Sequence, residues 1–315
     1  MHRSISEFPS EEGVVLTIGT FDGVHEGHKR ILRKLVEKAR QKGGKSVLLT
    51  FFPHPRMVLA PDSEIRLLTT MDEKRDLLGE EGIDHLIIQP FTKEFAAMEP
   101  EDYIRKVLIE GIGVESLVIG YDHRFGKERK GDLNTLKRSA PEFGFDVEEI
   151  PAHLIDDVDV SSTKVRNALY EGDVRTANRY LGQAYTLTGE VVRGDRKGQE
   201  MGFPTANLRI PESYKLIPSN GVYAVEVLLR GELRSGMLNI GYTPTLHDRQ
   251  EASIEVHIFG VEEELYGESI TLRFFDRIRD EREFEGMEAL RERLEKDRKE
   301  ALASLKELSS GTTAP

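Results

Sequence analysis

Apolar and polar positions alternate in two different rhythms along the chain, and the first rhythm covers residues 1–182. There, short runs rich in Val, Leu and Ile are separated by stretches whose apolar residues recur at a period near 3.6, as in an amphipathic helix. The pair Gly43 and Gly44 ends the first such helix. Five strands alternating with helices predict a doubly wound parallel sheet of the α/β class. The five runs cover 14–18, 46–52, 85–89, 116–120 and 145–150.

The second rhythm begins near Tyr185 and consists of extended segments separated by Gly, Pro and Asn, with almost no helical period. Six short strands of this kind predict an all-β second half, a small antiparallel barrel or sandwich. Apolar residues along one stripe predict a last helix from about Glu285 to Leu308. The predicted organisation is a domain at 1–182, a domain at 183–308 and a disordered tail at 309–315.

Composition narrows the classes of function. Apolar residues make up 38% of the 315 and charged residues 32%, which is typical of a chain that folds around its own core. The net charge of −12 argues against a general basic surface for nucleic acid or anionic lipid. The chain has no cysteine, which excludes disulfides, thiolate metal sites and a thiol nucleophile and fits a reducing cytoplasm. With no secretory signal and no membrane-spanning run, we expect a soluble, cytoplasmic protein.

The segment GTFDGVHEGH joins the first predicted strand to the first predicted helix. A strand, a Gly-bearing turn and a helix start together offer backbone N–H groups to an anion, so we interpret this segment as a phosphate cradle. His25 and His28 would project to one side and donate to phosphate oxygens, and Gly27 would let the ligand approach the backbone. Two alternatives stay open: two helix-capping histidines, or a zinc site completed by Asp22 and His54.

Three further segments carry polar side chains just past predicted strands or ahead of a helix. TFFPHP at 50–55 and GYDHRFG at 120–126 each place a His, Asp or Arg beyond a buried strand, although each alone is more often an ordinary turn. SSTKVR at 161–166 is either an N-cap with a charged first turn or a second anion site made of hydroxyls, helix N–H groups and an arginine.

In the second half, GEVVRGDRKGQEMGFPTANL at 189–208 is a Gly-studded loop that leads into an extended segment. Thr205 and Asn207 are two apart in a strand, so their oxygens face the same way and suit Mg²⁺ carried with a nucleotide. The alternative is a polar strand edge. Glu255 lies in the alternating segment SIEVHIF and is either exposed or a carboxylate that faces a pocket; composition alone favours exposure.

Taken together and in this order, GTFDGVHEGH, TFFPHP, GYDHRFG and SSTKVR resemble the FMN adenylyltransferase half of the bacterial bifunctional riboflavin kinase/FAD synthetase family. The resemblance implies that His25 and His28 contact the phosphates of ATP and stabilise charge as the α-phosphate is attacked. It further implies a nucleotide site, a pyrophosphate site and a flavin site. These contain, in turn, Gly19, Phe21, Asp22, Gly23 and Gly27; Ser162, Thr163 and Arg166; and His54, Asp122, Arg124 and Phe125.

The sequence departs from that family pattern at two positions in this half. Phe52 stands where an acidic residue is common, and His123 stands where a Phe is common. Both departures concern details of nucleotide or flavin contact and leave the reaction class unchanged.

The second half, over about 185–300, is similar to the riboflavin kinase module of the same family, on PTAN, PSNGVYA, GMLNIGYTPT and LYGESITLRFFDRIRDEREF. The resemblance implies a six-stranded barrel in which Glu255 is the general base for the terminal ribityl hydroxyl. Thr205 and Asn207 would hold Mg²⁺ with ATP, and Gly198 and Gly202 would belong to the nucleotide loop. Gln199 departs from a frequent Arg, for which we expect a changed nucleotide affinity.

The reading implied by the resemblance is a two-step enzyme whose partners are riboflavin, FMN and ATP. Riboflavin and ATP give FMN and ADP, and then FMN and ATP give FAD and pyrophosphate. A homo-oligomer is left open. Three rivals remain: one module has lost activity, the chain senses or stores flavin without turnover, or it is a generic cytidylyl or pantetheine-type adenylyl transferase. The last shares only the His pair and leaves the second half unexplained.

Overall fold

The computed structural model describes residues 1–151, 160–194, 202–243, 251–282 and 284–311. Their contacts divide the chain into two compact units, Met1–Ser162 and Thr163–Pro315. Within these described ranges, no helix has the length and apolar character needed to cross a membrane.

The first unit is built on a five-stranded parallel sheet in the order β3-β2-β1-β4-β5. This confirms the predicted doubly wound α/β class. The central strand β1 is buried at all five positions, which explains why it is a continuous apolar run and does not alternate. The strands are β1 Val14–Ile18, β2 Lys45–Phe52, β3 His85–Pro90, β4 Val114–Gly120 and β5 Asp146–Ile150.

Helices connect the strands of this sheet. The helix after β1 begins after an N-cap at His25 and ends at Gly43, which adopts a left-handed conformation as the Gly pair predicted. The helices are α1 Glu26–Lys42, α2 Pro55–Leu59, α3 Met71–Glu80, α4 Lys93–Ala96, α5 Pro100–Asp102 with a π-helical continuation Tyr103–Ile112, and α6 Leu133–Phe143. Short 3-10 turns lie at Ile5–Glu7, Pro61–Ser63 and Lys127–Arg129.

The strand order places the ligand-binding edge of this sheet. The chain moves outward from β1 to β2 and β3 and then returns to the other side of β1 with β4, so β1 and β4 flank the switch point. In open parallel sheets, ligands bind beyond the carboxyl ends of the strands at that point. The loops after Ile18, Phe52 and Gly120 all leave the sheet at this edge.

The second unit contains a closed six-stranded barrel in the order β10-β7-β6-β11-β8-β9, in which all the pairings are antiparallel. The barrel, rather than the sandwich, is therefore correct. The elements are α7 Ser162–Glu171, α8 Val174–Leu181, β6 Tyr185–Val192, β7 Ala206–Arg209, β8 Gly221–Leu229, β9 Glu232–Thr243, β10 Glu251–Ile258, β11 Ser269–Arg279 and α9 Met287–Gly311.

The division between the units lies about twenty residues before the predicted boundary at 182. The reason is that α8 is bonded to the barrel: the Asn178 amide donates to the Phe274 carbonyl at 2.7 Å. Arg175 makes a bidentate pair with Asp276, at 2.7 Å for both bonds. Helical periodicity before residue 182 predicted the helices but carried no information about the surface that they cover.

The last helix packs on the outside of the barrel. Ala301 and Leu305 of α9 contact a buried cluster that includes Phe203 and Met237. The helix continues to Gly311, so residues 309–311, which were expected to be disordered, are helical. Residues 312–315 of the predicted tail lie outside the described residues.

Candidate active sites

The loop from β1 to α1 turns tightly through left-handed backbone conformations. Phe21 and Val24 have φ values of 44° and 43°, and Gly23 has a φ of 85°. Non-glycine residues rarely adopt this region, and such strain is concentrated at functional sites. A Cβ on Gly19 would lie 2.9 Å from the Phe21 ring, so a larger residue at that position would have to displace the ring.

Hydrogen bonds tie this loop to the segment that precedes α3. The buried Asp22 carboxylate accepts from the backbone N–H of Leu68 at 3.0 and 3.1 Å and from that of Thr69 at 3.3 Å. Ser162 Oγ donates to the Asp22 carbonyl at 2.9 Å. Asp22 and Ser162, both predicted as nucleotide or phosphate groups, therefore hold the loop in shape.

His25 and His28 lie together at the start of α1. His25 is the N-cap, and its Nδ1 accepts from the His28 backbone N–H at 3.3 Å. The two imidazole rings stack with centroids 3.6 Å apart and planes 15° from parallel. His25 therefore caps the helix, as the capping alternative expected, and its role toward a phosphate stays a prediction. Because Nδ1 of His25 is the acceptor, the proton of the neutral ring lies on Nε2.

The His28 ring differs from the His25 ring, which caps α1. Its Nδ1 is buried without a partner among the residues that the structure describes. Burial lowers the pKa of His28 well below its usual value, and the nearby charges of His25 and Lys74 lower this pKa further. At neutral pH, His28 is thus a neutral imidazole that keeps one N–H donor.

Lys74 was missed by the sequence analysis. It lies on α3, where its ammonium donates to the Thr20 carbonyl at 2.7 Å, and it is only 2% exposed. Burial lowers the pKa of Lys74, and the Asp22 carboxylate opposes that shift. The signal in the sequence was only the capping box of Thr70 and Glu73, which marks the start of α3 but does not indicate where the next residue points.

The loop after β2 gives His54 a local bond. His54 caps α2, and its Nδ1 accepts from the Arg56 backbone N–H at 3.1 Å. Throughout the described residues, no three His, Asp or Glu side chains come together as a metal site, so the zinc alternative has no ligand cluster there.

The loop after β4 holds the other predicted flavin residues. Arg124 pairs with Asp132 at 3.1 Å, Asp122 is exposed, and Phe125 is buried against Tyr103 with ring centroids 5.2 Å apart. His123 stacks on Phe125 at 5.9 Å, and its Nε2 is buried without a partner in the described ranges. Burial, aided by the charge of Arg129, lowers the pKa of His123 to about 4.

A chain of aromatic rings links this loop to the end of β2. Neighbouring ring centroids lie 5.2 to 5.9 Å apart, a spacing at which aromatic pairs attract. Sequence reasoning named Phe125 and His123 of this set and missed the other four, because those come from segments distant in the chain. The rings are those of Phe51, Phe91, Phe95, Tyr103, Phe125 and His123.

The remaining residues predicted for the first site lie on α7. Thr163 is exposed and Arg166 is 9% exposed, and both belong to the second compact unit, whereas Ser162 closes the first. Their role toward a phosphate stays a prediction.

The second site lies in a cavity of about 620 Å³ between the barrel strands and α9. Its wall is mostly apolar and includes Phe203, Met237 and Leu290, with a few polar groups among them. Cavities of this size and character are typical of sites for flat organic ligands. The polar groups include Thr205, Asn239, Glu255 and His257.

Glu255 is half-buried on β10, in the wall of this cavity. Its carboxylate accepts from Ser253 Oγ at 3.1 Å and from Thr205 Oγ1 at 3.3 Å. In the ladder, Glu255 pairs with Asn207 of β7 on one side and with Asn239 of β9 on the other. Directly paired residues share one face of a sheet, so the carboxylate lies among amide and hydroxyl groups, and the pocket-facing alternative is correct.

The backbone at Gly194 approaches the Asn207 side chain closely. A Cβ on Gly194 would lie 2.1 Å from the Asn207 amide nitrogen, so the loop before β7 packs directly on that side chain. Thr205 also borders a smaller pocket of about 90 Å³ on the other side of the strand. The hydroxyl, amide and carboxylate oxygens here are hard donors, and this set fits Mg²⁺ that arrives with a nucleotide.

The glycines of the predicted nucleotide loop are only partly described. Gly202 has a φ of 81°, in the left-handed region that favours glycine. Gly198 and the departure at Gln199 lie outside the described residues.

Comparisons with known proteins match each half of the chain to a family. The family model of FAD synthetase matches residues 7–164, and that of riboflavin kinase matches residues 181–305. Proteins from Listeria monocytogenes and Bacillus subtilis, both named bifunctional riboflavin kinase/FMN adenylyltransferase, are each 37% identical to this chain. The first match covers 92% of this chain and 91% of the relative, and the second covers 96% and 95%.

One solved structure shares the fold over nearly the whole chain. It is a Streptococcus pneumoniae protein described as a macrolide-efflux protein, which matches with a TM-score of 0.84 at 30% identity. The match covers 93% of this chain and 94% of that one.

Proposed function

The chain belongs to the bifunctional riboflavin kinase/FMN adenylyltransferase family, and we propose that the barrel unit makes FMN while the α/β unit converts FMN to FAD. The ranges of the two family matches support this assignment, because each falls mainly on one compact unit. The observation that carries the kinase half is the Glu255 carboxylate, bonded to Thr205 in the wall of the 620 Å³ cavity.

In the kinase reaction, the terminal ribityl oxygen attacks the γ-phosphorus of ATP as the bond to ADP breaks. Glu255 takes the proton of that hydroxyl. Ser253 and Thr205 each donate one bond to the carboxylate and so fix its direction. The carboxylate still has lone pairs that can accept a proton, as a general base needs. The apolar wall, with Phe203 and Met237, is suited to an isoalloxazine ring and excludes water around it.

We assign the oxygens of Thr205 and Asn207 to Mg²⁺ carried with ATP. When bound, the ion neutralises the charge that develops on the transferred phosphoryl group. The contribution of the chain is to place two hard oxygen donors beside the base, and the close approach of Gly194 keeps the Asn207 amide in that position.

In the adenylyl transfer, an FMN phosphate oxygen attacks the α-phosphorus of ATP and pyrophosphate leaves. No proton has to be removed from the attacking phosphate, so the chain needs donors and positive charge rather than a base. His25 and His28 each supply an N–H, the start of α1 supplies backbone N–H groups, and Lys74 supplies a buried positive charge nearby.

We place the flavin of this reaction along the aromatic rings beyond β2 and β4, with His54, Asp122, Arg124 and Phe125 around it. Thr163 and Arg166 are assigned to the departing pyrophosphate, and Gly198 and Gly202 to the nucleotide of the kinase site. We also propose a cytoplasmic location, which the cysteine-free composition supports, and we leave the oligomeric state open.

The test is a time course in which the purified chain is incubated with riboflavin, ATP and Mg²⁺ and the flavins are separated. We expect FMN first and FAD afterwards, and FAD alone when FMN replaces riboflavin. Accumulation of FMN without FAD would select a kinase with an inactive adenylyltransferase, and bound but unchanged riboflavin would select a flavin-binding protein.

A further inference from the structure

The pairing of β10 with β7 stops next to the kinase site. Glu255 pairs with Asn207 and Val256 with Ala206, and the registered ladder ends there. Thr205 comes just before β7 and follows Pro204, whose nitrogen carries no hydrogen and cannot extend the ladder. The backbone that presents the Thr205 hydroxyl thus lies just outside the sheet that holds Glu255.

His257 joins this backbone segment to β10 through a hydrogen bond. Its Nδ1 lies 2.7 Å from the Pro204 carbonyl oxygen. A carbonyl oxygen only accepts, so Nδ1 carries the proton and donates. His257 and Glu255 are two residues apart on β10 and therefore share one face of the strand. β10 thus carries both Glu255, the proposed base, and His257, which bonds to the segment just before β7.

The surroundings hold the His257 ring in that orientation. The rings of Phe203 and Phe259 meet it edge-on, with centroids 5.3 and 5.5 Å away, and His257 is 8% exposed. Burial lowers the pKa of His257, and the nearby charge of Arg298 lowers it further, against the bond to Pro204. The neutral form with its proton on Nδ1 is therefore the working state at physiological pH.

We propose that His257 is a positioning residue of the kinase: its bond to the Pro204 carbonyl holds Thr205 beside Glu255 and so sets the site of the magnesium nucleotide. The proposal rests on the roles assigned above to Thr205 and Glu255. In this role His257 is bonded to the Pro204 carbonyl and not to a reacting atom. It acts through the 3.3 Å contact between Thr205 Oγ1 and Glu255 Oε2, which loosens when the Pro204 carbonyl loses its donor.

The test compares two substitutions of the same side chain. His257→Asn keeps an N–H donor close to the position of Nδ1, whereas His257→Phe keeps a ring and has no donor. We expect His257→Phe to raise the KM for Mg²⁺-ATP and the Mg²⁺ concentration at half-maximal rate roughly tenfold, with a smaller change in kcat. His257→Asn should recover most of this loss. Adenylylation of supplied FMN is the internal control, and His85→Phe in the other unit should leave the kinase unchanged.

A role in packing alone predicts the opposite pattern, since the ring of His257→Phe should then preserve the kinase better than the small His257→Asn side chain. Either that order or an unchanged KM in a folded His257→Phe protein would overturn the proposal. Should the parent chain not phosphorylate riboflavin at all, the proposed function fails separately. Calorimetry with Mg²⁺-ADP then decides the positioning role, which requires weaker binding in His257→Phe than in His257→Asn.

Discussion

The two candidate sites of this chain are built in different ways. In the α/β unit, the groups to which we assign the phosphates lie at the end of a parallel sheet, on a loop and at the start of a helix. In the barrel, the working groups are side chains on neighbouring antiparallel strands, held by the ladder between Glu255, Asn207 and Asn239. In the parallel sheet the candidate groups lie at the carboxyl edge of the strands, whereas in the antiparallel barrel they lie on one face of the strands.

The chemistry of the two reactions accounts for the difference. An alcohol loses its proton reluctantly, so the kinase site needs a carboxylate that can accept it, and we assign that role to Glu255. A phosphate monoester is already deprotonated near neutral pH, so the other site needs positive charge and donors. There, burial lowers the pKa of His28 and favours its neutral form, and we assign the positive charge to Lys74, whose own lowered pKa the Asp22 carboxylate opposes. The comparison predicts that each site can be disabled without affecting the other.

Glu255→Gln should separate the two activities, riboflavin phosphorylation and FMN adenylylation, most strongly. The amide cannot take the ribityl proton, so we expect riboflavin phosphorylation to fall by roughly a thousandfold. Adenylylation of supplied FMN should remain at the parental rate. The matched control is Glu232→Gln, which changes an exposed carboxylate paired with Arg234 on the same barrel. Loss of both activities in a folded Glu255→Gln protein would contradict two independent sites.

His28→Ala should produce the reverse pattern. Removal of one donor to a developing phosphate charge typically costs 10²- to 10³-fold, so FAD formation from FMN should fall by roughly that factor. Riboflavin phosphorylation should be unchanged. His85→Ala, which removes a histidine elsewhere in the same unit, serves as the control. FAD production at the parental rate by His28→Ala would refute its phosphate role.

His123 should make the stability of the α/β unit depend on pH. Its pKa is about 4 in the folded chain and about 6.5 when unfolded. As the pH falls below 6.5, the unfolded state binds the proton first, so the free energy of unfolding decreases, by up to about 3 kcal/mol at pH 4. His123→Phe should lack this loss, as urea unfolding at pH 7 and pH 4 would measure.

Other titrating groups contribute equally to both proteins, so the difference between them isolates His123. Hydrogen exchange should locate the effect in residues 1–162 and not in the barrel. Equal pH dependence in the parent and in His123→Phe would show that the ring is accessible to protons in the folded state.

The smallest effect should come from Gly194→Ala. The new methyl group would meet the Asn207 amide at 2.1 Å and turn it aside, so the Mg²⁺ concentration at half-maximal kinase rate should rise roughly tenfold. Gly79→Ala in α3 is the control, because its Cβ meets nothing within 4 Å. An unchanged Mg²⁺ requirement in Gly194→Ala would argue against Asn207 as a donor to the ion.

Much of this structure could be predicted from local pattern. The apolar runs marked all five strands of the parallel sheet, and turn residues marked the six barrel strands, because each pattern reflects burial on two faces or on one. The family motifs identified the two reactions. Periodicity also predicted the final helix, although it stopped short of Gly311.

Several features of the sites depended on contacts that no local pattern contains. Asp22 looked like a ligand group but accepts from the amides of residues 68 and 69, and the buried charge of Lys74 comes from a helix that begins more than forty residues after the loop it supports. The aromatic rings of the first site gather from separate segments. Helices α7 and α8 pack with the barrel, although they follow the α/β pattern in sequence.

By itself, the sequence determined the classes of the two folds, the family and the identity of the groups that can do the chemistry, because these follow from periodicity and motif spacing. Only the tertiary structure decided which of those groups serve the fold and which face a cavity. Burial and hydrogen bonding depend on partners distant in the chain: they tie Asp22 to the segment before α3, bury Nδ1 of His28 and join His257 to the Pro204 carbonyl.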